Sequence, residues 1–391
     1  MTAVRVLHVI NQFPAYGGAE TSLRELIKAS EGPEVHHGVC VLKREGSAFD
    51  DVVAIGADYF TPAASSLGLV GRFRHVCEAV RAFAPDVVHS SIFDADVAAR
   101  LASWRLKVPV LVSLVNTPYA GAARIDSRVQ PVKLRVVQAV DRFLARRLTD
   151  RFHAITGAVA IAAVRDLGVP RDKITVIPRG RSQQVFVPLE PDHRAKVRRA
   201  LGLSQTAIVL LSVGREEAQK GHIYLLDAMA MLIRARDDVV LIHAGRNGAQ
   251  TPAIEARLAA DSSLVRSVHR LGVREDIADL LAAADVFVFP SLYEGLGGSL
   301  IEAMAVGVPI VAGDSPAVRE VLDGGTCGVL VPIATSAPLA GAVLTILDDP
   351  VGTAAMVSRA RARFLDHYES STVALEMVKL WRSFATDIES R

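Results

Sequence analysis

Hydrophobic and polar positions along this chain fall into blocks that predict strands and helices in turn. Val4 to Ile10 is a short β-branched run, Asn11 to Gly18 follows as a loop, and Thr21 to Ala29 has helical spacing. The alternation continues with the predicted strands Val35 to Leu42, Asp86 to His89 and Val108 to Leu114, and with the predicted helices Gly71 to Phe83 and Ala95 to Trp104. Strands separated by helix-sized segments indicate βαβ units and a parallel sheet.

The same pattern restarts in the second half of the chain. The predicted strands are Ile208 to Val213, Val239 to Ala244, Val268 to Leu271, Val286 to Pro290 and Pro309 to Ala312. The predicted helices between them are Gly221 to Arg236, Ile277 to Ala284 and Leu300 to Ala305. Two doubly wound α/β domains are therefore expected.

The domain boundary is predicted at Pro178 to Arg199, which carries three prolines and no hydrophobic period. We place the first domain at 1–185 and the second at 186–371. Two more helices are predicted at Thr353 to Arg363 and Thr372 to Ile388, and the last one has an apolar face that needs a surface to pack against. We expect 372–391 to return to the first domain.

Composition narrows the class of protein. Of the 391 residues, 50% are hydrophobic and 22% are charged, and no run of about 18 apolar residues occurs, so neither a disordered nor a membrane-spanning chain is expected. The first ten residues pass directly into the strand pattern without a leader-like apolar block, which predicts a cytoplasmic protein. Three scattered cysteines, Cys40, Cys77 and Cys327, form no disulfide or zinc pattern and are expected to be buried.

Charge is distributed unevenly between the two halves. The first 185 residues carry 24 basic and 17 acidic side chains, a net charge of +7, whereas the remainder has a net charge of −5. Eight of the basic residues lie between Arg124 and Arg151, and apolar residues recur there at helical spacing: Val132, Val136, Val140, Phe143 and Leu144. This basic amphipathic helix either contacts an anionic membrane surface or packs its apolar face on the core with a solvated arginine face. Nucleic acid is not an expected partner, because only 5% of residues are aromatic and no binding motif accompanies the charge.

The densest chemical motif follows the strand that ends at Pro290. Three glycines, Gly295, Gly297 and Gly298, let the backbone approach a ligand before a helix begins near Ser299. Glu294 in this loop and Glu302 in the first helical turn lie eight positions apart and can converge on one ligand. The alternatives are a solvated loop acid for Glu294 and, for Glu302, a capping box with Ser299.

Two further turns between a strand and a helix suit anions. After Val213, Arg215 offers a bidentate fork and Lys220 a point charge for a diphosphate; the alternative is an ordinary basic loop partnered by Glu216 and Glu217. After the first strand, Gly17 and Gly18 precede Glu20 at a helix start. That pair predicts either an anion- or sugar-tolerant turn or a tight turn with Glu20 capping the helix, and it lacks the dinucleotide fingerprint.

Rival chemistries are poorly supported. Asp94 and Asp96 match the Asp-x-Asp pattern that holds a metal in another transferase fold, but they lie at a strand-to-helix junction, where aspartate is a common cap. The histidines show no metal spacing, and no nucleophile elbow accompanies them. No metal site and no hydrolase triad are expected.

Together, the motifs at Gly17–Gly18, Arg215–Lys220 and Glu294–Glu302 resemble those of the retaining GT-B glycosyltransferases of family 4 over essentially the whole chain. The resemblance implies a GT-B fold with two Rossmann-like domains facing a cleft. It implies that Arg215 and Lys220 hold a donor diphosphate, that Glu302 binds the ribose and that Glu294 faces the donor sugar. It further implies donor contacts for Gly17, Gly18, Gly295, Leu296, Gly297, Gly298 and Leu271.

The chain departs from the family pattern at three places. Where many members have a histidine after the strand, this chain has Val115, with Asn116 beside it, and Asn116 can donate a hydrogen bond to a sugar hydroxyl instead. Arg179 and Arg181 replace a less basic sequence and are candidates for contacts with an acidic acceptor or with the donor phosphates. Leu296 replaces the usual aromatic residue of the glutamate loop.

The resemblance implies a retaining transfer of a hexosyl unit from a nucleoside-diphosphate sugar to a hydroxyl acceptor, without a metal or other cofactor. The acceptor is a glycan, a lipid-linked molecule or a small molecule. A nucleotide-sugar epimerase or hydrolase of the same fold and a non-catalytic sugar-nucleotide-binding protein are the alternatives. The basic first domain adds a peripheral location at the inner face of the membrane as an expectation.

Overall fold

The computed structural model of this protein describes residues 3–13, 17–44, 56–63, 68–117, 119, 130–188 and 190–389. The chain divides into two compact units. One contains the described residues up to Gly180 and from Glu369 onward, and the other contains Arg181–Tyr368. The predicted boundaries, after residues 185 and 371, lie five and three residues beyond these observed boundaries, after Gly180 and Tyr368.

The first unit is built on a parallel sheet of seven described strands in the order β3-β2-β1-β4-β5-β6-β7. The strands are β1 Val4–Ile10, β2 Val35–Val41, β3 Asp58–Phe60, β4 Val87–Ser91, β5 Val110–Leu114, β6 Arg151–Ala154 and β7 Ile174–Val176. The helices of this unit are α1 Gly18–Ala29, α2 Leu69–Phe83, α3 Phe93–Leu106, α4 Pro131–Arg147, α5 Gly157–Leu167 and a 3-10 turn Arg171–Lys173.

The second unit has a six-stranded parallel sheet in the order β10-β9-β8-β11-β12-β13. Its strands are β8 Ile208–Val213, β9 Val239–Ala244, β10 Val268–Arg270, β11 Val286–Phe289, β12 Ile310–Gly313 and β13 Val329–Val331. Its first helices are α6 Pro191–Ala200, α7 His222–Ala235, α8 Thr251–Ala259, α9 Ser262–Ser267 and α10 Ile277–Ala283. The others are α11 Gly298–Val306, α12 Pro316–Val321, α13 Ala337–Asp348 and α14 Pro350–His367, with 3-10 turns at Ala218–Lys220 and Asp323–Gly325. Buried strands such as β11, with four fully buried apolar residues, are typical of a sheet covered on both faces.

The last helix, α15 (Ser370–Glu389), belongs to the first unit. Trp381, Met377 and Phe384 are buried against β1 and β4 in one core cluster with Val6 and Val87. The apolar face predicted from the sequence therefore covers the first sheet. Its large side chains fill the space beside the smaller valines of the strands.

Part of the predicted linker is a helix, so the prediction of an irregular segment through Arg199 is wrong for α6. Arg198 anchors this helix: it is buried, and it donates hydrogen bonds to the carbonyl groups of Ala283 and Ala207 and to Asp285. Because an arginine rather than an apolar stripe attaches α6, no hydrophobic period marks it in the sequence.

The core-facing interpretation of the basic helix is also wrong. In α4, Val132, Val136, Val140 and Phe143 are exposed, and only Leu144 of the predicted apolar face is buried. A buried ion pair between Asp141 and Arg100, 2.7 Å apart, holds the opposite side of the helix to α3. Arg124 and Arg128, which were counted in the basic segment, lie outside the described residues.

Across the described ranges, no single helix has the length and hydropathy of a membrane crossing. The pair α13 and α14 meets that test only when the two helices are taken together, and the chain bends by 102° between them.

Candidate functional site

The second sheet reverses its strand order between β8 and β11, because the chain runs from β8 outward to β9 and β10 and then returns to β11. In doubly wound sheets, ligands bind beyond the carboxyl ends of the strands at such a switch point. The loops that leave β8 and β11 contain the two strongest sequence motifs, Gly214–Gly221 and Ser291–Gly297. The topology therefore brings both motifs to one place.

Glycines allow the loops at this edge to approach one another closely. A Cβ on Gly221, whose φ is 67°, would overlap the carbonyl oxygen of Pro290. A Cβ on Gly245, at the end of β9, would overlap the carbonyl oxygen of Gly214. Three strand ends are thus packed backbone to backbone, and no larger residue fits at these two positions without moving the loops.

Lys220 and Glu294 form an ion pair across the switch point. The Nζ atom of Lys220 lies 2.5 Å from Oε1 of Glu294, and both side chains are largely buried. Lys220 also lies over the ring of Phe289, 5.3 Å from its centroid. Gln219 links the same loops, because its side chain donates to the Tyr293 carbonyl at 2.8 Å. The cation expected at the diphosphate and the acid expected at the sugar are therefore in direct contact.

Arg215 differs from Lys220 in being exposed. Within the described ranges, its guanidinium has no hydrogen bond or ion pair. The alternative of a basic loop partnered by Glu216 and Glu217 is wrong for Glu216. Its carboxylate is buried and accepts two hydrogen bonds from Arg270, at 2.8 and 2.9 Å, and one from Thr251 at 2.5 Å. Arg215 is thus a solvated cation, and the contacts of its neighbour Glu216 hold the loop that carries it.

Two buried imidazoles lie beside Glu216. His222 and His243 stack edge to face with ring centroids 4.4 Å apart, and Nε2 of His222 lies 3.1 Å from the Arg215 carbonyl oxygen. Burial lowers the pKa of His222 to about 3, with a further contribution from His243, and it lowers the pKa of His243 to about 4. Both rings are therefore neutral at physiological pH, and His222 can donate to the backbone that carries Arg215.

Helix α11 begins at Gly298, one residue before the predicted start. Its N-cap is Gly297, with φ 89°, and no side chain caps the helix. The capping-box alternative is therefore wrong: Ser299 lies inside the first turn, and Glu302 pairs with Arg181 instead, with 2.6 Å between Arg181 Nε and Glu302 Oε1. The carboxylate thus lies at the positive end of a helix beside a buried cation.

The remaining predicted donor contacts of the second unit are placed as follows. Gly295, Leu296 and Gly297 are buried in the loop between β11 and α11. Leu271 follows β10, and its amide donates to the His243 carbonyl oxygen at 2.8 Å. The Gly272 carbonyl in turn accepts from Gly245 at 2.7 Å, so the loop of Leu271 joins the same edge of the sheet.

Three candidate residues of the first unit also lie together. Gly17, with φ 125°, precedes α1, and the carbonyl oxygen of Gly18 accepts a hydrogen bond from Arg179 at 3.3 Å. Asn116 is exposed and lies two residues beyond the end of β5. Arg179 therefore adds a positive charge beside the glycine turn.

The Asp-x-Asp alternative is accounted for by protein partners. Asp94 pairs with Arg72 at 2.9 Å, and buried Asp96 accepts a hydrogen bond from Ser90 at 2.7 Å. Burial raises the pKa of Asp96 to about 7. Among the residues that the structure describes, no group of three or more His, Cys, Asp or Glu side chains is arranged to hold a metal.

Comparison with known proteins identifies the family. The family profile described as glycosyl transferases group 1 matches residues 207–349, and that of the glycosyl transferase 4-like domain matches residues 17–180. The UDP-Gal:alpha-D-GlcNAc-diphosphoundecaprenol alpha-1,3-galactosyltransferase of Escherichia coli is 30% identical over 247 residues, which is 61% of each chain. The match thus spans less than two thirds of that relative. The D-inositol 3-phosphate glycosyltransferase of Thermobispora bispora is 30% identical over 296 residues, 71% of this chain and 67% of the relative.

Among solved structures, Anabaena HepE in complex with UDP and glucose has a TM-score of 0.82 and 23% identity, covering 97% of this chain and all of that one. Together with the two doubly wound units, this likeness defines the GT-B fold and confirms the predicted fold class. The chain belongs to the group 1 glycosyltransferases, whose family 4-like domain forms most of its first unit.

Proposed function

We propose that this protein is a retaining glycosyltransferase that moves a hexosyl unit from a nucleoside-diphosphate sugar to a hydroxyl acceptor. The observation that carries the proposal is the cluster of Arg215, Lys220, Glu294 and the α11 N-terminus at the switch point of the second sheet. It combines fixed positive charge for a diphosphate with a carboxylate for sugar hydroxyls. Family membership and the UDP bound by Anabaena HepE support this proposal.

Each residue has a separate part in the proposed reaction. Departure of the nucleoside diphosphate leaves negative charge on its terminal phosphate, and Lys220, Arg215 and the amides at the start of α11 stabilise that charge. Glu294 binds the hexose as positive charge develops at its C1 atom. Glu302 accepts hydrogen bonds from the ribose. In the first unit, Arg179 and Asn116 bind the acceptor, and Gly17 and Gly18 contact the donor, as the family resemblance implies.

The bond from C1 to the departing oxygen breaks, and the acceptor hydroxyl attacks from the same face, which retains the anomeric configuration. The departing phosphate takes the acceptor proton, so no protein nucleophile is required. Because two cations and a helix N-terminus supply positive charge at the diphosphate, we expect turnover that does not depend on added magnesium.

A release assay tests this proposal. The protein is incubated with UDP-glucose, UDP-galactose, UDP-GlcNAc or GDP-mannose, with and without magnesium, and with a panel of glycan, lipid-linked and small-molecule hydroxyl acceptors. The expected result is that nucleoside diphosphate is released and a glycosylated product forms only when a suitable acceptor from the panel is present. Release of free sugar or an epimerised donor without acceptor favours the hydrolase or epimerase alternative. Donor binding without turnover for every acceptor favours the non-catalytic alternative.

We also propose that the first unit contacts an anionic membrane surface through α4, at the inner face of the cytoplasmic membrane. Val132 is 72% exposed and Phe143 is 61% exposed, and both lie on the solvent side of the helix with Val136 and Val140. Exposed basic residues flank this apolar stripe: Lys133, Arg135, Arg142, Arg146 and Arg147. The apolar stripe can insert at the boundary between lipid headgroups and acyl chains, and the basic residues can bind anionic headgroups.

Vesicle flotation tests this contact. We expect the protein to float with vesicles containing phosphatidylglycerol and to remain in solution with phosphatidylcholine alone. The double substitution Val136→Ser and Phe143→Ser should abolish flotation, whereas Val351→Ser, at an even more exposed apolar residue of the second unit, should not. Flotation that is unchanged by the double substitution would contradict the contact.

A further inference from the structure

The predicted ribose-binding acid has a buried basic partner. Arg181 is the first described residue of the second unit, and its amide donates to the Tyr368 carbonyl oxygen at 2.9 Å. Its side chain is only 4% exposed, and Nε donates to Oε1 of Glu302 at 2.6 Å. The pair spans 121 positions in the sequence.

The guanidinium also lies against the first turn of α11. A Cβ on Gly298 would overlap Nη2 of Arg181 and would come within 3.9 Å of Oε1 of Glu302. Gly298 is therefore the residue whose small size lets the cation reach the helix start. Arg181, Gly298 and Glu302 therefore form one cluster at the N-terminus of α11.

The Arg181 guanidinium places a positive charge at the N-terminus of α11. The N-terminus of a helix carries partial positive charge, so a buried cation there is unfavourable unless anions balance it. Glu302 supplies one negative charge, and a bound nucleoside diphosphate would add more. A purely structural anchor has no need of this location, as Arg198 illustrates: it binds Asp285 and carbonyl groups at the amino edge of the same sheet.

We infer that Arg181 is a positioning residue for the sugar-nucleotide donor. It fixes the position of the Glu302 carboxylate, so that this group accepts hydrogen bonds from the ribose hydroxyls. A carboxylate has about four acceptor positions, so the bond from Nε leaves capacity for a ribose. The planar, permanently charged guanidinium suits this task better than a flexible ammonium. The inference rests on the proposed function, since it needs a donor ribose at Glu302.

The test measures the affinity of UDP and of 2′-deoxy-UDP by calorimetry, with GDP, ADP and CDP and their 2′-deoxy forms in parallel. The variants are Arg181→Gln, Arg181→Lys, Glu302→Gln and the double variant Arg181→Gln with Glu302→Gln. Arg181→Gln should weaken the ribonucleotide roughly 10- to 100-fold and the deoxynucleotide much less. The substitution should have little further effect in the Glu302→Gln background, and Arg181→Lys should restore only part of the affinity.

Arg198→Lys is the matched control, because it alters another buried arginine of the same unit at the opposite edge of the sheet. It should lower the melting temperature without changing nucleotide affinity. Equal losses for ribonucleotide and deoxynucleotide, or additive effects of Arg181→Gln and Glu302→Gln, would overturn the inference and leave the proposed function intact. If none of UDP, GDP, ADP and CDP binds the unsubstituted protein, the proposed donor site and this inference both fail.

Discussion

Lys220 and Glu294 lie in contact, with 2.5 Å between Nζ and Oε1, although 74 positions separate them in the chain. One residue follows β8 and the other follows β11, so the contact joins the two loops at the switch point of the second sheet. The partners carry opposite charges and have different proposed ligands, the diphosphate for Lys220 and the hexose for Glu294. In the proposed reaction, the pair connects the residue that binds the departing diphosphate to the residue that binds the transferred sugar.

Glu294→Gln should lower turnover far more than donor affinity. The amide keeps the shape of the side chain but loses the negative charge that, in the proposed reaction, faces the developing positive charge at C1. We expect kcat to fall roughly 10²- to 10³-fold, with the donor dissociation constant changed less than about threefold. Glu255→Gln, at an exposed acid that pairs with Arg270, is the control. Equal losses in kcat and in affinity would contradict the assignment.

Arg215→Ala should weaken donor binding without destabilising the protein. The side chain is exposed and has no partner among the described residues, so its removal breaks no protein contact. Loss of one charge-assisted hydrogen bond to a phosphate predicts roughly 10- to 100-fold weaker binding. Titration calorimetry and a thermal melt measure the two quantities. Arg266→Ala, at an exposed arginine of α9, should change neither, and unaltered affinity in Arg215→Ala would remove this residue from the site.

Gly245→Ala should disturb the donor site from outside it. The added Cβ would overlap the Gly214 carbonyl oxygen and displace the loop that carries Arg215. We expect donor affinity to fall at least tenfold, together with a loss of stability of about 1–3 kcal/mol. Gly341→Ala is the matched control, because Gly341 lies in α13 with open space around it. An alanine there should raise the free energy of unfolding by about 0.5–1 kcal/mol. Donor affinity that is the same in both variants would contradict the role of Gly245.

The first unit should lose stability as the pH falls below about 6.5. His8, His37, His89 and His153 are buried on β1, β2, β4 and β6 of the first sheet. Burial lowers all four pKa values, those of His37 and His153 to about 4. Between pH 6.5 and 4 the unfolded chain therefore binds protons that the folded unit does not. Each histidine contributes a slope of up to about 1.4 kcal/mol per pH unit in that window.

Urea unfolding at pH 7 and pH 5 measures this slope. His37→Asn retains a polar side chain near His8 and Ser30, the two hydrogen-bond partners of His37, but cannot be protonated. The variant should be less stable than the unsubstituted protein at pH 7 and should lose less stability between pH 7 and pH 5. An equal or larger loss in the variant would contradict the assignment of His37 to this effect.

Much of the second unit could be predicted from its sequence because its signals are local. Glycine-rich turns directly after apolar runs mark strand ends, and parallel strands bring their carboxyl ends to one edge, which places Arg215, Lys220 and Glu294 together. The long-range partners carry no such signal. Nothing near Glu302 in the sequence indicates Arg181, and a capping box was an equally good local explanation.

The basic helix shows a different limit. Helical spacing predicts that Val136, Val140 and Phe143 share a face, but it does not predict which face of α4 meets the protein. The Asp141–Arg100 ion pair decides that orientation, and it joins residues 41 positions apart. Helix α6 is missed for a similar reason, since the contacts of Arg198 hold it and leave no apolar period.

A thermal-shift panel tests the donor site most directly. UDP, GDP, ADP, CDP and their common sugar conjugates are compared with and without magnesium, since a ligand that binds only the folded state raises the melting temperature. We predict a shift from one nucleotide family that is independent of magnesium and is lost in Arg215→Ala. The absence of a shift from every nucleotide at millimolar concentration, or a shift that Arg215→Ala fully retains, would contradict a donor site at the switch point of the second sheet.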